Sequence, residues 1–270
     1  MTPDQVTALI LTYNERENIG RVIEQLTWLP RVLVLDSGSD DGTVEIASGF
    51  VNVKVISRTF DNHAAQWNFG LNSSEISTDW LLALDADYLV PDGFRDELSA
   101  LKPEAEDAGY IAEFDYAIFG RTLRGSMYPR GTVLFRRSRA NYVQDGHTQR
   151  VVVEGRLHSL RSRIVHDDRK PLSRWLLSQD KYAQLELAHI ADEPLRRLSW
   201  PDRLRRFIIV MPWLAPMYCL FWRLGVLDGF AGLFYALQRG VAESILALKL
   251  LRRYIGGPEL EQEAQRESSR

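Results

Sequence analysis

Residues 80–88 read Trp-Leu-Leu-Ala-Leu-Asp-Ala-Asp-Tyr, an apolar run that ends in two carboxylates separated by one residue. The apolar part predicts a strand that is covered on both faces, as in a parallel sheet. Asp85 and Asp87 would then lie at the carboxyl end of that strand, the edge at which open α/β sheets bind ligands. Carboxylates placed there can hold a hard divalent cation, which can in turn hold a diphosphate. A surface turn is the alternative, because Asp is common in turns.

The residues that precede this run alternate between strand and helix patterns. Apolar runs at 6–12, 32–35 and 51–56 predict three more strands with helical segments between them. Strands separated by helices imply right-handed crossovers and a mainly parallel sheet. Further strands are predicted at 111–116, 132–135, 150–153 and 163–166, followed by a long helix over 173–191. The rest of the chain has a helical pattern.

The composition is that of an ordinary globular protein, with 270 residues, 45% of them hydrophobic, and a net charge of −3. This charge argues against a protein that binds nucleic acid over its whole surface. The single cysteine, Cys219, excludes an internal disulfide and fits a reducing compartment. No basic region precedes the first apolar residues, so no secretory signal is expected.

Polar residues also follow the first two predicted strands. Thr12, Tyr13 and Glu15 can surround a nucleoside, with the ring for stacking and the acid for ribose hydroxyls. Asn14 can instead cap the following helix. Asp36 ends the second strand, where it can accept hydrogen bonds from a pyrimidine imide or a ribose. A plain βα turn explains most of the loop after Asp36, but it does not require an acid at the strand end.

A third polar stretch, residues 58–70, contains Arg58, Gln66 and Asn68. Arg58 can offset the charge of a diphosphate with bidentate geometry. Gln66 and Asn68 start or line a predicted helix that can face the same crevice. Surface solvation of Arg58 and core packing of Trp67 are the alternatives.

These motifs, in this order, resemble a known family. Thr-Tyr-Asn-Glu at 12–15, Asp-Ser-Gly-Ser-Asp-Asp-Gly-Thr at 36–43 and Asp-Ala-Asp at 85–87 are similar to motifs of the inverting family 2 glycosyltransferases. Residues 58–70 are similar to a subgroup related to lipopolysaccharide core transferases, and the likeness covers roughly residues 5–190. The resemblance implies the GT-A fold, an α/β, Rossmann-like architecture with a mainly parallel sheet flanked by helices.

The resemblance also implies a nucleotide-sugar donor, usually a UDP-sugar, and a divalent metal, manganese or magnesium. It places Asp36 against the base and makes Asp87 the metal ligand that carries the diphosphate. Asp85 would contact the ribose or the metal, and Ala86 would lie between the two acids in the donor site. A late histidine often adds a metal ligand, for which His166 is the candidate; a structural role is the alternative.

The family needs a general base, and the resemblance points to Asp145. This residue would deprotonate the acceptor hydroxyl as it attacks the anomeric carbon. Gln144 precedes it where the family commonly has a second acid. His147 is a rival because its ordinary pKa is closer to neutral, and Glu113 and Asp115 are weaker rivals. A hairpin turn at this Asp-Gly pair is the alternative without catalysis.

The expected activity is transfer of one sugar to a lipid-linked saccharide or lipopolysaccharide-type acceptor. The Gln-x-x-Arg-Trp signature of processive family members is not found, which favours single addition over polymerisation. The alternatives are a polyprenyl-phosphate glycosyltransferase and a nucleotide-sugar-binding scaffold without catalysis. A nucleotidyltransferase would need a Gly-rich, Lys-bearing loop after the first strand, and residues 13–15 offer none.

The C-terminal part is basic, apolar and helical in pattern, with ten basic and three acidic residues in 196–257. Its longest uncharged run, 207–222, has 16 residues, fewer than the roughly 20 that span a bilayer. We therefore expect a peripheral or monotopic anchor on the cytoplasmic face of a membrane. A helical cap on the core and a homo-oligomer interface are the alternatives. The expected domains are a catalytic domain at 1–193, this segment at 194–257 and a charged flexible tail at 258–270.

Overall fold

The computed structural model describes residues 1–124, 126, 128–145 and 148–256, without the side chains of residues 144, 145, 148, 188 and 192. The strands are β1 (Val6–Thr12), β2 (Val32–Asp36), β3 (Val53–Ser57), β4 (Trp80–Asp85), β5 (Tyr88–Leu89), β6 (Asp107–Ile118), β7 (Arg121–Thr122), β8 (Gly131–Arg136), β9 (Ala140–Asp145), β10 (Thr148–Val153) and β11 (Arg156–His166). The α-helices are α1 (Ile19–Glu24), α2 (Thr43–Ser48), α3 (His63–Leu71), α4 (Phe94–Ala100), α5 (Leu172–Asp192), α6 (Trp200–Arg205), α7 (Val210–Met217) and α8 (Gly229–Gly256).

The predicted α/β fold is confirmed. The main sheet has the strand order β3-β2-β1-β4-β8-β6-β11-β5, with β7 paired to β6, and β9 and β10 form a separate antiparallel pair. Strands β3, β2, β1 and β4 are all parallel, whereas β8 runs antiparallel to β4 and β6. The sequence pattern does not predict β5 and β7, because two-residue strands are too short to show an alternation.

Both faces of the parallel half of the sheet are buried, which explains the continuous apolar runs in β1, β2 and β4. Successive residues of a strand point to opposite faces. The residues on one face join a core cluster with α1; they include Ile10, Val34 and Leu82. The residues on the other face join a cluster with α3; they include Leu9, Leu33 and Leu81. The sheet is therefore a covered middle layer, and its strand ends are where polar groups emerge.

Helix α3 lies very close to β1. A Cβ atom added to Gly70 would come within 2.7 Å of a methyl carbon of Leu9. Only glycine allows this approach without a shift of the helix. The close approach determines where the polar side chains of α3 lie relative to the end of β1.

The chain divides into two compact units. Unit 1 comprises Met1–Thr122 with Met127–Lys170, and unit 2 comprises Leu123–Ser126 with Pro171–Arg270. The division after residue 170 differs from the expected boundary after residue 193, because it places α5 with the C-terminal helices. Within unit 2, α5 packs against α8 through the buried side chains of Ala183, Leu187, Ile190 and Leu246.

The described helices include none that could cross a membrane by itself, judged by length and hydropathy. The segments Val210–Trp222 and Gly225–Gly256 meet the criterion when taken together, but they are bent by 73° relative to each other. The bend lies between a π-helical turn, Tyr218–Trp222, and a 3-10 turn, Gly225–Asp228.

Candidate active site

The carboxyl ends of β1, β2 and β4 meet at one edge of the sheet. In the strand register, Thr12 lies beside Asp36, and Leu11 lies beside Asp85. The end of β11 reaches the same region, because His166 pairs with Tyr88, the residue that follows Asp87. The predicted strand-end residues are thus brought together as parallel strands require.

Asp87 and His166 form the centre of the site. The His166 Nε2 atom lies 3.1 Å from Asp87 Oδ2, and both side chains are largely buried. Burial favours the neutral ring, but the carboxylates around it, Asp87 first, outweigh that effect and raise the pKa of His166. Burial also opposes ionisation of Asp87, and the imidazole outweighs it and lowers the pKa of that carboxyl. Burial, and then the charge of Asp87, raise the pKa of Asp85 to about 6.

Three tyrosines enclose the His166 ring. The ring centroid lies 4.6 Å from that of Tyr128, 4.8 Å from that of Tyr116 and 5.5 Å from that of Tyr88. The Tyr88 and Tyr128 hydroxyl groups are hydrogen-bonded at 2.6 Å. This packing holds the imidazole in one orientation, as a group that must meet a ligand requires.

The donor atoms at this centre suit a divalent metal. Asp87 Oδ1 and His166 Nδ1 are buried and have no hydrogen-bond partner among the described residues. Buried polar atoms normally have partners, so such orphans mark a place for a further group. Carboxylate oxygen and imidazole nitrogen are both ligands for manganese. The described residues contain no group of three or more side chains that could hold a metal ion, so Asp87 and His166 are candidate ligands as a pair.

A second ion pair, which sequence reasoning missed, joins the amino-terminal motif to the end of β11. The Lys170 Nζ atom lies 2.6 Å from Glu15 Oε1 and 3.6 Å from Asp168 Oδ2. Burial raises the pKa of Glu15 to about 7, although the Lys170 charge opposes this shift. Burial disfavours the ammonium, but Glu15, Asp87 and Asp168 outweigh it and raise the pKa of Lys170. The run of charged residues directly after β11 was the only feature of the sequence that could have pointed to Lys170.

A buried carboxylate fixes the chain that leads from His166 to Lys170. Asp167 is completely buried, and its Oδ2 atom lies 2.6 Å from Arg21 Nη2 and 3.0 Å from Arg169 Nη2. Asn18 Nδ2 donates to Glu15 Oε2 at 2.9 Å and to Asp168 Oδ1 at 3.0 Å. The site therefore has a supporting layer of polar contacts that the sequence motifs do not reveal.

The loops after β1 and β2 are joined by hydrogen bonds. Asn14 adopts a left-handed conformation with φ of 55°, and its backbone NH donates to Ser39 Oγ at 2.7 Å. Its side-chain oxygen accepts from the Asp40 backbone NH at 2.9 Å. The alternative of Asn14 as a helix cap is therefore wrong, because α1 begins at Ile19 and Asn18 precedes it as the cap residue.

Asp36 organises the loop that follows it. Its Oδ2 atom accepts from the backbone NH groups of Gly38 and Ser39 at 2.8 and 2.9 Å, and the carboxylate is buried. Its Oδ1 atom accepts from Ser39 Oγ at 2.5 Å. A carboxylate has about four acceptor positions, so these contacts leave capacity for a base or ribose. Thr12 Oγ1 is buried without a partner among the described residues, and Tyr13 is exposed beside it.

The residues of the third stretch have protein partners. Arg58 pairs with Asp61, with Nη2 to Oδ2 at 2.7 Å, and also donates to Gln66 Oε1. Gln66 is completely buried, and its Nε2 atom donates to Ser37 Oγ at 3.0 Å. The Asn68 amide makes two bonds to the backbone of Tyr142, at 2.8 and 2.9 Å. The contacts of Gln66 and Asn68 therefore hold neighbouring parts of the protein in place. A contact of either residue with the sugar donor stays a prediction.

The structure describes the side chains of only some candidates for the general base. Asp145 ends β9, and its side chain lies outside the described residues, as does the whole of His147. The rivals Glu113 and Asp115 lie on β6 and are both bound by Arg163, with Asp115 Oδ1 at 2.7 Å from Nε. The methyl group of Ala86 is buried in the core cluster between the two acids.

Residues 7–156, more than half of the chain, match the family described as Glycosyl transferase family 2. The chain belongs to this family. Its members are inverting glycosyltransferases that use nucleotide-sugar donors and typically a divalent metal. The matched segment contains β2 to β10 and all of β1 except its first residue, and it includes the motifs after β1, β2 and β4.

Several known proteins are similar to the chain. The lipopolysaccharide core biosynthesis glycosyltransferase LpsC of Rhizobium meliloti is 25% identical over 92% of this chain and 93% of its own length. An uncharacterized glycosyltransferase of Rickettsia felis is 31% identical over 40% of the chain and 38% of its own length. The crystal structure of S. aureus TarS 1-349 in complex with UDP-GlcNAc is 12% identical, covers 95% of this chain and 92% of its own, and has a TM-score of 0.48.

Proposed function

We propose that this family member transfers one sugar, from a UDP-sugar by preference, to a lipid-linked saccharide or lipopolysaccharide-type glycolipid at the cytoplasmic face of a membrane. The observation that carries the donor half is the cluster of Asp85, Asp87, His166 and Lys170 at the strand ends. The similarity to LpsC along nearly the whole of both chains supports the acceptor class.

On the donor side, Asp87 and His166 would hold the divalent metal, with Asp85 beside them. The bound metal would supply Lewis-acid stabilisation of the negative charge that develops on the leaving diphosphate. Lys170 adds a fixed positive charge next to this centre, on the side of Glu15. Thr12, Tyr13 and Asp36 would hold the nucleoside at the ends of β1 and β2.

On the acceptor side, Asp145 would take the proton of the attacking hydroxyl group. The acceptor oxygen forms a bond to the anomeric carbon while the bond from that carbon to the diphosphate oxygen breaks. The proton remains on Asp145, and the electron pair leaves with the nucleoside diphosphate. Attack opposite to the leaving group inverts the anomeric configuration.

The membrane location is supported by the side chains that unit 2 exposes. Trp200, Phe207, Trp213 and Trp222 are all highly exposed, and they lie in the basic segment 196–257, which has ten basic and three acidic residues. Tryptophan at the headgroup level with cations on lipid phosphates is the usual composition of an interfacial anchor. A lipid-linked acceptor gives such an anchor a purpose, because both substrate and enzyme then meet at one surface.

The test measures UDP binding and UDP release with manganese for the full chain. We expect manganese to tighten UDP binding. Asp87→Asn should abolish this effect, and its affinity for UDP with manganese should fall by more than the roughly tenfold that loss of a residue supporting a metal ligand costs. Asp4→Asn, an exposed acid before β1, is the matched control and should behave like the unmodified protein. If no nucleotide raises the melting temperature of the protein, or if no UDP-sugar is turned over with lipid extract, the proposal fails.

A further inference from the structure

Unit 2 exposes large apolar side chains around the bend between α7 and α8. We name residues 207–230 the apolar hairpin. The exposed fractions are 72% for Trp213, 62% for Phe221, 78% for Trp222 and 87% for Phe230. Large exposed apolar surfaces of this kind mark sites that interact with another protein or with a membrane.

The charged side chains of the same region have partners inside unit 2. Residues 207–248 contain four charged residues, Arg223, Asp228, Arg239 and Glu243. The Asp228 side chain is 6% exposed and accepts a hydrogen bond from the backbone NH of Arg124 at 2.8 Å. The Glu243 side chain is 3% exposed and pairs with Arg205 at 2.7 Å and with Arg239 at 3.5 Å. Apolar groups outside and paired charges inside are what a hydrocarbon environment demands.

Arg223, at the bend, is also bound inside unit 2. Its Nη2 atom donates to the backbone oxygen of Ser126 at 2.7 Å, next to the exposed ring of Trp222.

We infer that the apolar hairpin inserts into one leaflet of a lipid bilayer. This deepens the membrane part of the proposed function and rests on it. Successive residues of an α-helix point about 100° apart, so the exposed neighbours Trp213 and Leu214 face different sides of α7. A second copy of this chain would cover one matching patch, whereas acyl chains surround every side.

The length of the apolar hairpin limits how deeply it can insert into the bilayer. Val210–Trp222 spans about 20 Å at 1.5 Å per residue, less than the roughly 30 Å of a hydrocarbon core. The 73° bend then turns the chain into α8. The bend is tightly packed, because a Cβ on Gly232 would meet the Gly225 carbonyl oxygen. The hairpin therefore enters the leaflet as a preformed wedge and does not span the bilayer.

The first experiment is flotation of the full chain with vesicles of phosphatidylglycerol and phosphatidylethanolamine. The variant Trp222→Ser with Phe230→Ser should bind about a hundredfold more weakly, since each side chain contributes about tenfold. Leu177→Ser with Leu185→Ser removes two exposed apolar residues of α5 and is the control, expected to float like the unmodified protein. Equal binding by the hairpin variant overturns the inference, as does an equal loss in the control.

The second experiment measures depth. A fluorophore on Phe221→Cys should be quenched by phospholipids brominated in the acyl chain, and buried Cys219 does not compete for the label. A label that stays accessible to aqueous iodide overturns the insertion. Sedimentation tests the alternative of a second copy. If the unmodified protein is a dimer, and Trp222→Ser with Phe230→Ser makes it a monomer without changing vesicle binding, the surface belongs to a dimer interface and the insertion is overturned. If the unmodified chain does not float at all, the membrane proposal itself fails, while UDP release tests the donor chemistry separately.

Discussion

Lys170 places an ammonium group among Glu15, Asp168 and the charge of Asp87. We expect Lys170→Gln to weaken binding of UDP about tenfold in the presence of manganese, because a charged hydrogen bond contributes about 1.5 kcal/mol. Binding of uridine, which has no phosphate, should be unchanged, as measured by calorimetry. Lys54→Gln removes an exposed lysine that pairs with Glu75 and is the control. An equal loss for uridine and UDP would show that Lys170 only supports the fold.

Glu15 has a predictable effect on stability. Its pKa is raised from 4.5 to about 7 in the folded chain, so the folded chain binds more protons than the unfolded chain between these values. The contribution of Glu15 to stability therefore falls as the pH rises through this range. Glu15→Gln does not titrate at this position. We therefore expect the melting temperature of this variant, relative to that of the unmodified protein, to be higher at pH 8 than at pH 4.5. Glu17→Gln, an exposed neighbour, is the control, and a pH-independent difference for Glu15→Gln would refute the account.

Among the secondary-structure elements, β9 depends on α3. Asn68 on α3 makes two hydrogen bonds to the backbone of Tyr142, and the Trp67 ring stacks on the Tyr142 ring at 5.0 Å. These contacts hold the strand that ends in Asp145 against the helix that carries Gln66. Asn68 is thus a positioning residue for the strand of the candidate base.

The corresponding variant is Asn68→Ala. We expect it to lower the free energy of unfolding by about 2 kcal/mol, from two lost hydrogen bonds, and to lower kcat with little change in the KM for the donor. Asn72→Ala, which removes one exposed bond to the end of α3, is the control. Urea titration and initial rates provide the two measurements. An increase in donor KM with kcat unchanged would instead support a direct donor contact for Asn68.

For the molecule as a whole, unit 2 has an ionic centre of its own. The carboxylate of Glu243 on α8 pairs with Arg205 on α6, and Arg205 also pairs with Glu186 on α5 at 3.1 Å. Burial opposes the charge on Arg205, but these carboxylates outweigh it and raise the pKa of that guanidinium. The network ties three helices together without an extended core of the kind found in unit 1.

We expect Glu243→Gln to lower the unfolding free energy of the protein by about 3 kcal/mol, because it removes the charge of a buried carboxylate and leaves the partly buried Arg205 with less compensation. UDP binding, which we propose for unit 1, should persist below the melting temperature. Asp180→Asn breaks a surface pair with Lys249 between α5 and α8 and should cost less than about 1 kcal/mol. Calorimetric melting of the unmodified protein and the two variants provides the measurement. Equal losses of unfolding free energy in the two variants would contradict the buried network.

The parallel strands and the acids at their ends were predictable, because a strand covered on both faces must be apolar throughout and its polar groups can only follow it. Asp36, Asp85 and Asp87 were found in this way. Strand β9 was not, because its sequence, Ala-Asn-Tyr-Val-Gln-Asp, has little apolar alternation and the strand is stabilised by β10 and Asn68. Lys170 was missed because its partner Glu15 is remote in sequence, and only the folded sheet makes them neighbours.

The sequence by itself determined the parallel strands, the strand-end motifs and the family, since each depends on residue type and local spacing. Only the tertiary structure decided the partners of the charged residues. It paired Lys170 with Glu15, bound Asn68 to the backbone of β9, and turned Asp228 and Glu243 inward while Trp222 faced outward. The physical reason is that hydrogen bonds and ion pairs form between atoms within a few ångströms, and packing of distant segments sets those distances.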